Sequence, residues 1–165
     1  LVIYLDSPGS IFYSQERVGL NGRTFKLTKL RTMIPNAEQK TGAVFAQDGD
    51  PRVTRFGRFM RKTRLDELPQ LFNVLKGDMS MIGPRPERPE HVQRLQENIP
   101  FYRTRHIIRP GLTGWAQVKY SYGKDDKDAL VKLQYDLYYI RHQSTILDIG
   151  ILIRTVGKVL RMSGQ

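Results

Sequence analysis

Between Met81 and Pro89 the chain reads MIGPRPERP. Three prolines in the six residues from Pro84 to Pro89 exclude a helix and an interior strand. Each ring removes a backbone donor and pushes the preceding residue out of the α region. The stretch has to be an extended, stiff loop, with regular elements built on either side of it. It also holds Arg85 between Pro84 and Pro86, so little backbone entropy is left to lose in fixing that residue. A guanidinium there offers a planar fork suited to phosphate oxygens. The plainer alternative is a surface turn with one solvated arginine.

Upstream, IFYSQERVG and RTFKLTKLRTM flank Leu20-Asn21-Gly22, and Asn-Gly is a tight-turn signal, so Ile11 to Met33 predicts a β-hairpin. Lys29 and Arg31 share one parity in its second strand. Ile34 to Pro51 is polar and Gly-rich and reads as a surface loop. In RVTRFGRFMRKTR arginine recurs at positions 52, 55, 58, 61 and 64, a spacing that drifts around a helix axis and forms no single stripe. Phe56, Phe59 and Met60 supply an apolar side. This segment is either a solvated basic helix or a basic wall beside an anionic ligand or membrane surface.

A helix is expected to start at Asp66 as N-cap, with Pro69 in its first turn and Gly77 at its end. Leu68, Leu71, Phe72 and Leu75 follow the i, i+3, i+4, i+7 pattern of a core-facing stripe. Beyond the proline loop, Glu90 to Asn98 predicts a short helix. IIRPGLTGWAQVKY predicts a turn and a strand around Trp115, the one tryptophan in the sequence. Asp125 to Arg141 predicts a helix with Leu130, Leu133, Leu137 and Ile140 on one face. Ile146 to Met162 predicts a last, very apolar helix carrying Arg154, Lys158 and Arg161 on one side, suited to docking or to a bilayer interface. The expected fold is α+β: a mainly helical single domain with a small β-hairpin and amphipathic interfacial helices.

A length of 165 residues suits one domain with a real core, and a net charge of +11 directs attention to polyanions: nucleic acid, acidic headgroups or phosphorylated substrates. The absence of cysteine excludes disulfides and thiolate metal sites, and His91, His106 and His142 lack zinc-ligand spacing.

Against that charge stand two adjacent acids, Asp66 and Glu67. The commoner explanation is a helix cap with a second carboxylate favouring the positive end of the dipole. A helix start among cations also holds phosphate, and positive neighbours would keep a carboxylate there ionised. An ionised Asp66 facing a phosphoryl group could act as a nucleophile and form an acyl phosphate. It would need help against charge repulsion, which a magnesium ion on Glu67 could supply.

The ordered set FYSQERVGLNGRTFKLTKLRTM, DPRVTRFGRFMRKTRLDELPQLFNVLKGDMSMIGPRPE, RPGLTGWAQV and KLQYDLYY resembles the bacterial sugar transferase family, the monotopic polyprenyl-phosphate phosphoglycosyl transferases. The resemblance runs from about Phe12 to Thr155, and ERPEHV with IPFYRTRH and YSYGKDDKDALVKLQYDLYYI resembles the catalytic domains of larger exopolysaccharide-type members. It implies transfer of a sugar-1-phosphate from a UDP-sugar to polyprenyl phosphate, with release of UMP, through a covalent phosphosugar on aspartate. Asp66 matches the family's nucleophile and Glu67 its magnesium-binding partner. Lys29 and Arg31 in KLRTM, and Arg85 in Pro-Arg-Pro, match phosphate and substrate contacts. Asp136 in YDLYY falls in a motif that the resemblance places near the active site; on pattern alone it is a surface aspartate paired with Lys132.

The family carries a hydrophobic re-entrant helix immediately before FYSQERVG, and here only LVIYL stands there. Residues 1–10 are therefore expected to be the remnant of an upstream membrane-associated segment, and 11–165 the catalytic domain. The resemblance also implies residence at the cytoplasmic face of the bacterial inner membrane, with the membrane interface as a partner and nucleic acid not. The competing readings are a basic nucleic-acid-binding module, for which no known motif appears, and a non-catalytic membrane-surface module, which leaves Asp66, Glu67 and Arg85 without a role.

Overall fold

The computed structural model describes residues 1–37, 39, 42, 49–120 and 125–161. Half of the Ile34 to Pro51 loop, residues 38, 40, 41 and 43–48, lies outside the described residues. The fold is α+β, with short strand pairs set among helices.

The hairpin forms as expected. Strand β1 (Phe12–Val18) runs antiparallel to β2 (Thr24–Leu30), with Phe12 opposite Leu30 and Val18 opposite Thr24. The turn between them is a short 3-10 segment, Leu20–Gly22, in which Asn21 (φ 54°) and Gly22 (φ 77°) are both left-handed. Asn and Gly are the residues that tolerate this region.

Helix α1 (Val2–Asp6) precedes the hairpin and packs near α2 (Arg55–Thr63); the Phe56 amide donates to Asp6 Oδ2 at 2.9 Å. Thr54 caps α2, its Oγ1 accepting from the Gly57 amide at 3.0 Å. Helix α3 (Gln70–Lys76) ends at Gly77 (φ 83°), the expected glycine stop. Helix α4 (Pro89–Asn98) opens on Pro89, where a missing amide hydrogen is harmless.

Two short strands, β3 (Ser80–Ile82) and β4 (Gly111–Thr113), pair in parallel. A parallel pair requires a long crossover, and α4 with the 3-10 segment Tyr102–His106 lies within it. The proline loop leaves the end of β3. It departs beside a tight backbone crossing: a Cβ on Gly83 would lie 2.5 Å from the Arg109 carbonyl oxygen, and one on Gly114 would run into the Gly83 carbonyl.

That crossing corrects the expectation of a strand through Trp115. Strand β4 stops after three residues where Gly114 passes the Gly83 carbonyl, and Trp115 opens helix α5 (Trp115–Lys119). Helices α6 (Asp126–Arg141) and α7 (Thr145–Leu160) follow, capped by Asp125 and Ser144.

Among the described residues the apolar interior has two clusters. One joins Val18, Val92, Leu95, Ile99, Tyr102 and Leu133. The other joins Ile82, Val118, Tyr139 and Ile151. The proline loop bridges them, starting at Ile82 and ending where α4 begins. On α6, Leu133 and Leu137 enter the first cluster as the pattern requires, but Leu130 stays exposed.

Helix α3 overturns its expected orientation. Phe72 and Leu75 are 67% and 82% exposed, and Leu68 and Leu71 are also exposed. The buried positions are the amides Gln70 and Asn73. Asn73 explains the inversion. Its Nδ2 donates to the Lys26 carbonyl at 2.8 Å and its Oδ1 accepts from the Thr28 amide at 3.4 Å, so it occupies the open edge of β2. A buried strand edge needs hydrogen-bond partners, and only the polar face of α3 carries them. Helix α7 likewise buries Ile151 and presents Ile146, Ile149, Ile153, Val156 and Leu160 outward. Among the described residues no helix is long and apolar enough to cross a membrane.

Candidate active site

Arg64 follows α2 with φ 60°, a left-handed conformation that costs a non-glycine residue some strain. It turns the chain into a 3-10 segment, Leu65–Glu67, that puts both acids inside. Asp66 therefore caps no helix, contrary to expectation: α3 starts after Pro69, and Asp66 and Glu67 are 7% and 8% exposed.

Glu67 is the electrostatic centre. Its Oε1 receives Arg85 Nη2 at 2.6 Å, Lys29 Nζ at 3.4 Å and Arg64 Nη1 at 3.4 Å. Burial alone would raise its pKa, but the charges of Arg85, Lys29 and Arg64 outweigh that and hold the carboxyl well below its ordinary range. Arg85 is raised in turn, chiefly by Glu67. Burial lowers Lys29, and the Glu67 charge opposes it.

Asp66 behaves in the opposite way. Burial raises its pKa, and the charges of Lys29, Arg61 and Arg64 do not fully offset this. The expectation that positive neighbours would hold it below its ordinary value is thus corrected: desolvation dominates. Its Oδ1 is buried and, among the described residues, accepts no hydrogen bond. A buried carboxylate oxygen without a partner calls for one, which a water, an ion or a substrate group can supply.

Asp66 and Glu67 are the carboxylates that could share a magnesium ion with waters and a substrate phosphate. Among the described residues no group of three or more His, Cys, Asp or Glu side chains could hold a metal without such a substrate.

The loop carrying Arg85 is anchored through four consecutive carbonyls. Pro84 O accepts from the Gly111 amide at 2.9 Å, Arg85 O from Arg105 Nη2 at 2.9 Å, Pro86 O from Arg17 Nη1 at 3.3 Å, and Glu87 O from the Val18 amide at 2.9 Å. Prolines 84 and 86 have no amide hydrogen to give, so the carbonyls hold the loop.

Of the six residues singled out from sequence, Lys29, Asp66, Glu67 and Arg85 meet here. Asp136 is neither on the surface nor paired with Lys132 in the way its spacing suggested. It is 2% exposed, with Oδ2 at 2.8 Å from Arg105 Nη2, and burial pushes its pKa up to about 6. It sits beneath the site, one residue removed from Arg85. Arg31 points elsewhere. It donates to Ser10 O at 2.5 Å, to Ser7 Oγ at 3.0 Å and to the Ser7 carbonyl, tying the start of the chain to the end of β2. Sequence reasoning missed Arg17 and Arg105, and it met Arg64 only as one of an arginine array. In a chain with 27 lysines and arginines, charge alone selects none of them.

A family model described as bacterial sugar transferase matches residues 1–162. The UDP-N-acetylgalactosamine-undecaprenyl-phosphate N-acetylgalactosaminephosphotransferase of Aeromonas hydrophila is 52% identical over 160 residues, covering 97% of this chain and 38% of that protein. The UDP-glucose:undecaprenyl-phosphate glucose-1-phosphate transferase of Xanthomonas campestris pv. campestris is 44% identical over 160 residues, covering 96% and 33%. A putative undecaprenyl-phosphate N-acetylgalactosaminyl 1-phosphate transferase of Bacillus subtilis (strain 168) is 62% identical over 105 residues, covering 64% and 58%. The chain thus spans between a third and three-fifths of the length of these relatives.

Proposed function

We propose, from the premise that this chain belongs to the bacterial sugar transferase family, that it moves a sugar-1-phosphate from a UDP-sugar to polyprenyl phosphate and releases UMP. The observation that carries this is the buried acid pair: Asp66, with an oxygen that nothing in the protein occupies, beside Glu67, ringed by Lys29, Arg64 and Arg85.

In this reading an Asp66 carboxylate oxygen attacks the phosphorus that bears the sugar. The bridging P–O bond of the diphosphate breaks, UMP leaves with the bonding electrons, and an aspartyl phosphosugar remains. A phosphate oxygen of the lipid then attacks the same phosphorus, and Asp66 departs as carboxylate. Lys29, Arg64 and Arg85 face the charge that builds on the phosphoryl oxygens, and their positions are set before substrate arrives. A magnesium ion held by Glu67 would neutralise diphosphate oxygens.

The lipid acceptor favours a site close to a membrane surface. The outward apolar faces of α3 and α7 support docking there, with Arg64 and Lys158 near enough for their charges to interact. Cations beside an anionic leaflet add to such attachment. This is the basis for assigning the protein to the cytoplasmic face of the bacterial inner membrane. The activities for which the relatives are named support a donor among UDP-hexoses and UDP-N-acetylhexosamines.

The test is UMP release from a UDP-sugar panel with magnesium and undecaprenyl phosphate, using membrane-inserted protein and Asp66→Asn as control. Release with one donor, absent in the variant, is expected. No release with any donor from folded protein would overturn the assignment.

A further inference from the structure

The Arg85 side chain is about a third exposed, so packing alone does not aim it. Its direction depends on the backbone that carries it. The carbonyl of that residue is held by Arg105, whose two terminal nitrogens are both engaged while Nε is buried without a partner. Nη2 lies 2.9 Å from Arg85 O and 2.8 Å from Asp136 Oδ2; Nη1 lies 2.6 Å from the Tyr102 hydroxyl; and the group sits 5.2 Å from the centre of the Tyr102 ring. Arg105, Asp136 and Tyr102 are all almost completely buried. A line of contacts thus runs from Asp136 in α6, through Arg105, to the Arg85 backbone and out along the Arg85 side chain to Glu67.

We infer that Arg105, held by Asp136, is a positioning residue that sets the aim of Arg85 at the acid pair. The neighbouring carbonyls of Pro84 and Glu87 are held by strand amides, and that of Pro86 by Arg17. Arg105 acts on the carbonyl of Arg85 itself, the cation that approaches Glu67 most closely, at 2.6 Å. A lysine in its place keeps the charge for Asp136 but lacks the fork that reaches two acceptors in fixed directions. Displacement of a binding group by about 1 Å costs on the order of 100-fold in rate.

The inference rests on the reading that Arg85 serves the transferred phosphate, so its test has one arm that depends on turnover and one that does not. In the first arm, Arg105→Lys is made in the wild-type and the Arg85→Ala backgrounds, and UMP release is measured. The expected result is a loss of about 10- to 100-fold in kcat/KM, mostly in kcat, in the wild-type background. In the Arg85→Ala background the further loss should stay within about 2- to 3-fold. Equal losses in both backgrounds would show that Arg105 merely holds the fold, and would overturn the inference.

In the second arm, arginine-selective ¹⁵N NMR follows the Arg85 Nε–H resonance, assigned by its absence in Arg85→Ala. A sharp, exchange-protected signal is expected in the wild type and its loss in Arg105→Lys. An unchanged signal overturns the inference whatever the turnover. If the wild type releases no UMP, the proposed function fails and this arm alone decides the positioning role. Should Arg105→Lys fail to fold, Asp136→Asn, nearly the same size, carries the same two measurements.

Discussion

Arg85 Nη2 lies 2.6 Å from Glu67 Oε1, an oxygen that Lys29 and Arg64 also approach at 3.4 Å. Glu67 therefore contributes stability as an ion. Its folded pKa is depressed, so this contribution is present above the ordinary value of 4.5 and lost as pH falls below it. Glu67→Gln should cost about 1–3 kcal/mol near neutrality, a modest figure because Arg64 and Arg85 retain contact with water. The gap in Tm between wild type and variant should narrow from pH 5 to pH 3. Thermal melts across that range check it, and a gap constant with pH would contradict it.

Asp66→Asn should abolish turnover and leave the fold intact. The variant removes a charge that burial disfavours, and Asp66 Oδ1 makes no hydrogen bond to lose. Its Tm should match the wild type or exceed it. A melt run on the sample used for the UMP assay separates lost chemistry from lost structure.

The acid limb of the reaction should report Asp66. In the proposed mechanism Asp66 attacks as an ion, and burial raises its pKa above 3.8, so the single-turnover rate should fall on acidification with a midpoint above that value. Glu67, displaced downward, adds no limb there. Arg61 is one of the charges that lower Asp66, so Arg61→Gln should move the midpoint up. A midpoint at or below 3.8, or a downward shift in the variant, would contradict the assignment.

Leu75→Ser should leave stability within about 0.5 kcal/mol of wild type, since the side chain is 82% exposed. It should weaken sedimentation with anionic vesicles. Leu133→Ala, in the core, should instead cost about 2–5 kcal/mol. Urea melts and vesicle sedimentation on both variants check the outward orientation of α3.

Asn73→Leu should destabilise the protein by about 1–3 kcal/mol, although it adds apolar surface to an apolar helix. The substitution leaves the Lys26 carbonyl and Thr28 amide at the buried edge of β2 without partners. Urea denaturation measures it, and a neutral result would refute the account given for the inversion of α3.

Elements with a local cause were legible in the chain. Asn21-Gly22 placed the hairpin turn, Gly77 stopped α3, and the prolines kept residues 83–88 irregular. Asp66, Glu67 and Arg85 stood out locally, as acids among cations and a proline-bracketed arginine, and Lys29 came only with the family resemblance. Arg17 and Arg105 could not. Each is one cation among many, and its importance lies in which distant carbonyl it reaches. The strand expected at Trp115 failed for a related reason: Gly114 meets the Gly83 backbone, a contact 31 positions away in sequence.

The sequence by itself determined the α+β character, the hairpin turn, the glycine stop of α3, and the chemistry available at positions 29, 66, 67 and 85. These follow from backbone sterics and side-chain identity, which act over a few residues. Only the tertiary structure decided which face of α3 turns inward, that Asp136 is buried against Arg105, that Arg31 binds Ser7 and Ser10, and that burial outweighs the neighbouring cations at Asp66. Each is a competition between desolvation and a specific partner brought from elsewhere in the chain. Its outcome depends on distances that no local pattern contains.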